Sequence, residues 1–69
     1  MVEKELANAI ARLIQSKKFK IKKKGNYFLV NSTNLRFGVH KNLFNRLKNA
    51  KKLSDIEFLI NEYANLIVM

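Results

Sequence analysis

Between Phe19 and Val39 apolar and polar residues alternate in short runs, and two turn signals cut the stretch into pieces too short for helices. The first run, Phe19-Lys20-Ile21-Lys22-Lys23-Lys24, begins with the two-residue period of a half-buried strand. Gly25-Asn26 reads as a two-residue hairpin loop, since both residues tolerate a positive φ. Tyr27-Phe28-Leu29-Val30-Asn31 is rich in strand formers. Ser32-Thr33-Asn34 turns the chain again, and Leu35-Arg36-Phe37-Gly38-Val39 alternates as a third strand. Directly opposed residues of an antiparallel pair share a face, so each turn fixes a register that can be checked against the other. With Gly25-Asn26 as the loop, Lys24 opposes Tyr27, Lys22 opposes Leu29 and Ile21 opposes Val30. With Thr33-Asn34 centring the next loop, Val30 opposes Phe37, Leu29 opposes Gly38 and Tyr27 opposes His40. The registers agree. One face collects Phe19, Ile21, Phe28, Val30, Leu35, Phe37 and Val39 as a core side; the other collects Lys20, Lys22, Lys24, Tyr27, Leu29, Asn31, Arg36 and His40.

Helical periodicity flanks this segment. Leu6, Ile10, Leu13 and Ile14 predict an amphipathic helix from Glu3 to Gln15, and Leu43, Phe44 and Leu47 a short one from about Lys41 to Ala50. Ser54-Asp55-Ile56-Glu57 has the form of a capping box, with Leu53 and Phe58 placed as a hydrophobic staple. The last helix is then expected to carry Ile56, Leu59, Ile60, Tyr63, Leu66 and Ile67 almost to the C-terminus. The expected fold is α+β: one small domain over residues 1–69, in the order α-β-β-β-α-α, with a three-stranded antiparallel sheet packed on helices.

A chain of 69 residues builds a core worth roughly 3–5 kcal/mol of net stability. The sequence has no cysteine and only one histidine, which leaves neither disulfides nor a structural zinc site as reinforcement. Dimerisation is the remaining support, and a homodimer stays among the expectations. No phosphate-cradling glycine loop, paired acidic cluster or cofactor motif is present, so neither cofactor nor metal is expected. No apolar run approaches the roughly 20 residues of a membrane helix, and Met1-Val2-Glu3-Lys4-Glu5 is unlike a signal peptide. The expectation is a soluble cytoplasmic protein without membrane contact.

The net charge of +9 is unevenly placed. Residues 16–24 hold six lysines and no acid, residues 25–52 hold six further basic residues and no acid, and residues 53–69 hold only the acids Asp55, Glu57 and Glu62. A positive field concentrated in this way favours a polyanion, through phosphate neutralisation and counterion release. The alternating polar face joins those cations to an aromatic ring that can stack on a base. Lys17, Lys18, Lys20, Lys22, Lys24, Tyr27, Arg36 and Lys41 are the candidate nucleic-acid-binding residues, with RNA preferred over DNA. The same surface also suits a solubilising face, a dimer interface centred on Tyr27 and Leu29, or an acidic protein partner.

His40, set beside Tyr27 by the register, is the one imidazole and hence the candidate general base or acid on a ribose 2′-hydroxyl, with Tyr27 as a companion catalytic residue. No Ser-His-Asp set can be assembled around it.

Several strings resemble the HicA family of bacterial and archaeal toxins. They are Leu6-Ala7-Asn8-Ala9-Ile10, Phe19-Lys20-Ile21, Lys24-Gly25-Asn26-Tyr27, Leu43 to Leu47, and Lys52-Leu53-Ser54-Asp55-Ile56-Glu57-Phe58-Leu59. The resemblance implies a double-stranded-RNA-binding-domain-like fold, metal-independent mRNA cleavage and an antitoxin partner. It also implies a catalytic histidine two residues after the turn glycine, a place held here by Tyr27. A tyrosine hydroxyl ordinarily keeps its proton at neutral pH and is a poor general base. The readings are therefore an RNA-binding module weak or inactive in catalysis, an active ribonuclease using His40, and a phage- or plasmid-type interaction protein docking on an acidic partner.

Overall fold

A computed structural model describes residues 3–69; Met1 and Val2, the start of the segment weighed as a leader, lie outside the described residues. The elements are α1 (Lys4–Ser16), β1 (Lys20–Lys24), β2 (Tyr27–Asn31), β3 (Arg36–His40), α2 (Lys41–Asn49), α3 (Leu53–Glu62), a 3₁₀ turn (Ala64–Leu66) and β4 (Ile67–Val68). This is the expected α+β class.

The alternating segment pairs as both turns require. Lys24 faces Tyr27, Lys22 faces Leu29 and Ile21 faces Val30 in the first antiparallel pair. Val30 faces Phe37, Leu29 faces Gly38 and Tyr27 faces His40 in the second. Gly25 alone of its loop takes a positive φ, 63°, which a type II′ hairpin needs at its first loop position and which a side chain disfavours. At the second turn the Ser32 N–H donates to the Leu35 carbonyl at 2.9 Å, and the Ser32 hydroxyl accepts from the Leu35 N–H at 3.2 Å.

The sheet has four strands in the order β1-β2-β3-β4, not the expected three. The C-terminal helix stops at Glu62 instead of running almost to the end, and Ile67–Val68 pairs antiparallel with β3, Gly38 facing Val68 and Val39 facing Ile67. Without β4 the outer edge of β3 would carry unpaired backbone groups. Two adjacent β-branched residues satisfy part of that edge, and Ile67 enters the core at 9% exposure.

The helices cover one face of the sheet. α1 buries Ala7, Ile10, Ala11 and Ile14 at helical spacing and packs chiefly on α3, which buries Ile56 and Ile60. α2 lies over β2 and β3 and buries Leu43, Phe44 and Leu47. The Phe44 ring meets Phe28 at 4.9 Å and Phe19 at 6.5 Å between centroids. α1 ends where Lys17 turns to φ 60° and donates its N–H to the Leu13 and Ile14 carbonyls.

Two local expectations fail. α3 begins two residues early, with Lys52 in place of Ser54 as N-cap and no side-chain cap, so Ser54 lies inside the first turn and the capping box does not form. Leu53 is drawn into the helix because it packs against the core, while its supposed staple partner Phe58 is 64% exposed. Ile21, assigned to the core, is 46% exposed. β1 is an edge strand, and the helices pack over β2 and β3 and not over it to the same extent.

Candidate nucleic-acid interface

The face of the sheet turned away from the helices is a grid of three rows. At one end Lys20, Asn31 and Arg36 lie side by side across β1, β2 and β3. The middle row is Lys22, Leu29, Gly38 and Val68, crossing all four strands. At the other end stand Lys24, Tyr27 and His40. The rows follow from the two-residue side-chain period and the two registers. All of these residues but His40 line an open concavity of about 860 Å³, closed on its β4 side by Val68 and Met69.

The rim is cationic and the floor apolar. Every residue of β1 is exposed, so its lysines keep mobile, hydrated ammonium groups. The floor presents Leu29 at 38% exposure, Val68 at 53% and Met69 at 63%. It lies flat because Gly38 has no side chain: a Cβ there would sit 3.5 Å from Leu29 Cδ2 and 3.6 Å from the Val68 carbonyl oxygen. Past the Lys20 end lies a second concavity of about 400 Å³, lined by Lys18, Phe19, Lys20, Asn31, Ser32 and Thr33. Lys20 and Asn31 belong to both.

Of the expected binding residues, Lys20, Lys22, Lys24, Tyr27 and Arg36 thus share one site, and Lys18 lies at its extension. Lys17 and Lys41 line neither concavity. Lys17 is held in the turn that ends α1, and Lys41 opens α2 with its N–H donated to the Asn26 carbonyl at 2.8 Å. The contributors that sequence reasoning missed are Val68 and Met69. Their signal was the β-branched pair Ile67-Val68, masked by a helical period that runs through Leu66 and Ile67.

The two candidate catalytic residues do meet: the Tyr27 and His40 rings stand edge to face with centroids 5.2 Å apart. His40, however, is the N-cap of α2 and accepts the Asn42 N–H on Nδ1 at 3.2 Å. A neutral imidazole has one lone-pair nitrogen, and that hydrogen bond occupies it, so the other nitrogen, Nε2, carries the proton. With Nδ1 engaged by the helix, Nε2 is the ring atom left to meet a phosphate or a base. Among the described residues no three His, Cys, Asp or Glu side chains cluster to hold a metal ion, and no helix is long and apolar enough to cross a membrane.

Compared with family models, curated proteins and solved structures, the chain matches none.

Proposed function

We propose that this protein binds nucleic acid on the open face of its sheet, RNA in preference to DNA, without cleaving it. The observation that carries the reading is the grid itself: four cations, Lys20, Lys22, Lys24 and Arg36, surround an apolar floor and a tyrosine in one concavity. Phosphate neutralisation by such a rim supplies affinity, and the floor and ring supply contact area for bases. The resemblance to HicA toxins is what favours RNA, a cytoplasmic site of action and an antitoxin-like acidic partner for the same lysines.

The test is a binding series with single- and double-stranded RNA and DNA at several salt concentrations. Affinity is expected to fall steeply with salt. Replacing Lys20, Lys22 and Lys24 together by glutamine is expected to flatten the log–log slope by about 2, three contacts at about 0.7 each for a single strand. Absence of binding at low salt, or indifference to these lysines, would replace this reading with that of a protein-binding surface. The cleavage arm uses a labelled single-stranded RNA with wild type, His40→Ala, Tyr27→Phe and Tyr27→His. Intact RNA with wild type is expected; wild-type cleavage lost in His40→Ala would overturn the non-catalytic part.

A further inference from the structure

We infer that the ligand of this face is a single strand of about four nucleotides laid parallel to β1, phosphates on the lysine ladder and unstacked bases turned inward across the sheet, those at the middle row meeting Leu29 and Val68. The inference rests on the nucleic-acid reading above and goes further in naming the form of the polymer, its direction across the sheet and the residues that meet the bases.

The first observation is the ladder. Lys20, Lys22 and Lys24 leave one side of β1 at two-residue intervals, which in an extended strand is about 6.6 Å per step. That step is similar to the separation of successive phosphates in an extended single strand. Lys18 continues the series into the second concavity, which shares Lys20 with the first. Three cations in line on β1, with Lys18 beyond the bend at Phe19 as a fourth, therefore offer places for about four phosphates.

The second observation is what lies beside the ladder. Moving inward from Lys22, the middle row gives Leu29, Gly38 and Val68, an apolar strip recessed behind a cationic rim. A duplex shows phosphates on its outside and keeps its bases stacked and paired, so a rigid convex duplex would touch the rim and leave the strip uncovered. The bases of a single strand project to one side of its backbone and can lie flat on apolar or aromatic groups. Only that arrangement covers the strip while keeping the phosphates on the lysines. β4 is part of the site on this account, because Val68 forms the far end of the strip.

The experiment uses the intact protein and fluorescence anisotropy with four labelled probes. They are a single-stranded RNA octamer, its duplex, an abasic octamer with the same phosphates, and a length series from two to eight nucleotides. Leu29→Ser and Val68→Ser are the informative variants; both side chains are more than one-third exposed, at 38% and 53%, and circular dichroism checks their folding. Lys23→Gln is the charge control, since Lys23 stands on β1 opposite Phe28, on the other face of the sheet. The base-bearing single strand is expected to bind about tenfold more tightly than the abasic strand. Affinity should climb to about four nucleotides and then level. Leu29→Ser and Val68→Ser should weaken the base-bearing strand severalfold, leave the abasic strand and the salt slope unchanged, and exceed Lys23→Gln in effect. Equal binding of abasic and base-bearing strands, tighter binding of the duplex, or indifference to both serine variants overturns the inference while leaving nucleic-acid binding in place. Failure of every probe to bind at low salt overturns both.

Discussion

His40 accepts the Asn42 N–H on Nδ1 and lays its ring edge to face with Tyr27, so one side chain both starts α2 and ends the third row of the sheet grid. An unsatisfied N-cap costs about 1 kcal/mol, within a range of roughly 0.5–2, and an aromatic pair adds about 0.5–1.5 beyond its buried area. His40→Ala loses both terms. His40→Asn keeps a side chain that caps well and loses only the ring contact. The expected order of urea midpoints is wild type, then His40→Asn, then His40→Ala; equal midpoints for the two variants would remove capping from the account. Pairing of His40 with Tyr27 was legible in the residues, because it follows from counting along two turns. The ring's tautomer was not, since it depends on where the Asn42 N–H points once α2 is formed.

At the scale of elements, α3 shows how burial overrides a local signal. The Ser54-to-Glu57 box is a valid start, yet packing Leu53 against the core moves the start to Lys52, which offers no side-chain acceptor. Lys52→Asp supplies the missing cap, worth about 1 kcal/mol, and places a negative charge at the helix N-terminus, worth about 0.3–1 more. The expected result is a rise of several degrees in the thermal midpoint, at about 4–8 °C per kcal/mol for a domain of this size. Lys52→Ser should give a smaller rise, and no rise in either variant would mean that Ser54 caps the helix in solution. β1 teaches the complementary point. As an edge strand it presents four lysines and one isoleucine, all exposed, a composition that discourages pairing with another copy of itself.

For the whole molecule, a thin core stands against a large charge. Net stability of roughly 3–5 kcal/mol is comparable with the about 2–5 kcal/mol lost when a buried isoleucine becomes alanine. Ile60, fully buried between α3 and the rest of the core, is therefore expected on Ile60→Ala to leave a largely unfolded chain at 25 °C, read by circular dichroism. The charge of +9 works against compactness by self-repulsion, and salt screens it. Added sodium chloride should raise the thermal midpoint of the free protein while lowering its affinity for nucleic acid. Midpoint and affinity moving in the same direction would contradict a site made of the same charges that strain the fold.

The amino-acid sequence by itself determined the three-stranded meander, both registers and the lysine-bearing face, because strand period and turn chemistry act over a few residues and two turns constrained each other. It also marked the apolar stripe of α1 and the existence of α2 and α3. The tertiary structure decided what depended on distant partners. Ile67 and Val68 became a strand because β3 had an open edge to fill, and Val68 thereby became the floor of the site. Ile21 stayed exposed because the helices pack over β2 and β3 and not over the edge strand β1 to the same extent. Lys17 and Lys41 fell outside both concavities because one sits in the turn that ends α1 and the other is the first residue of α2, off the three rows of the sheet face. Periodicity says which residues share a face; only the packing of one element on another says how far that face is covered.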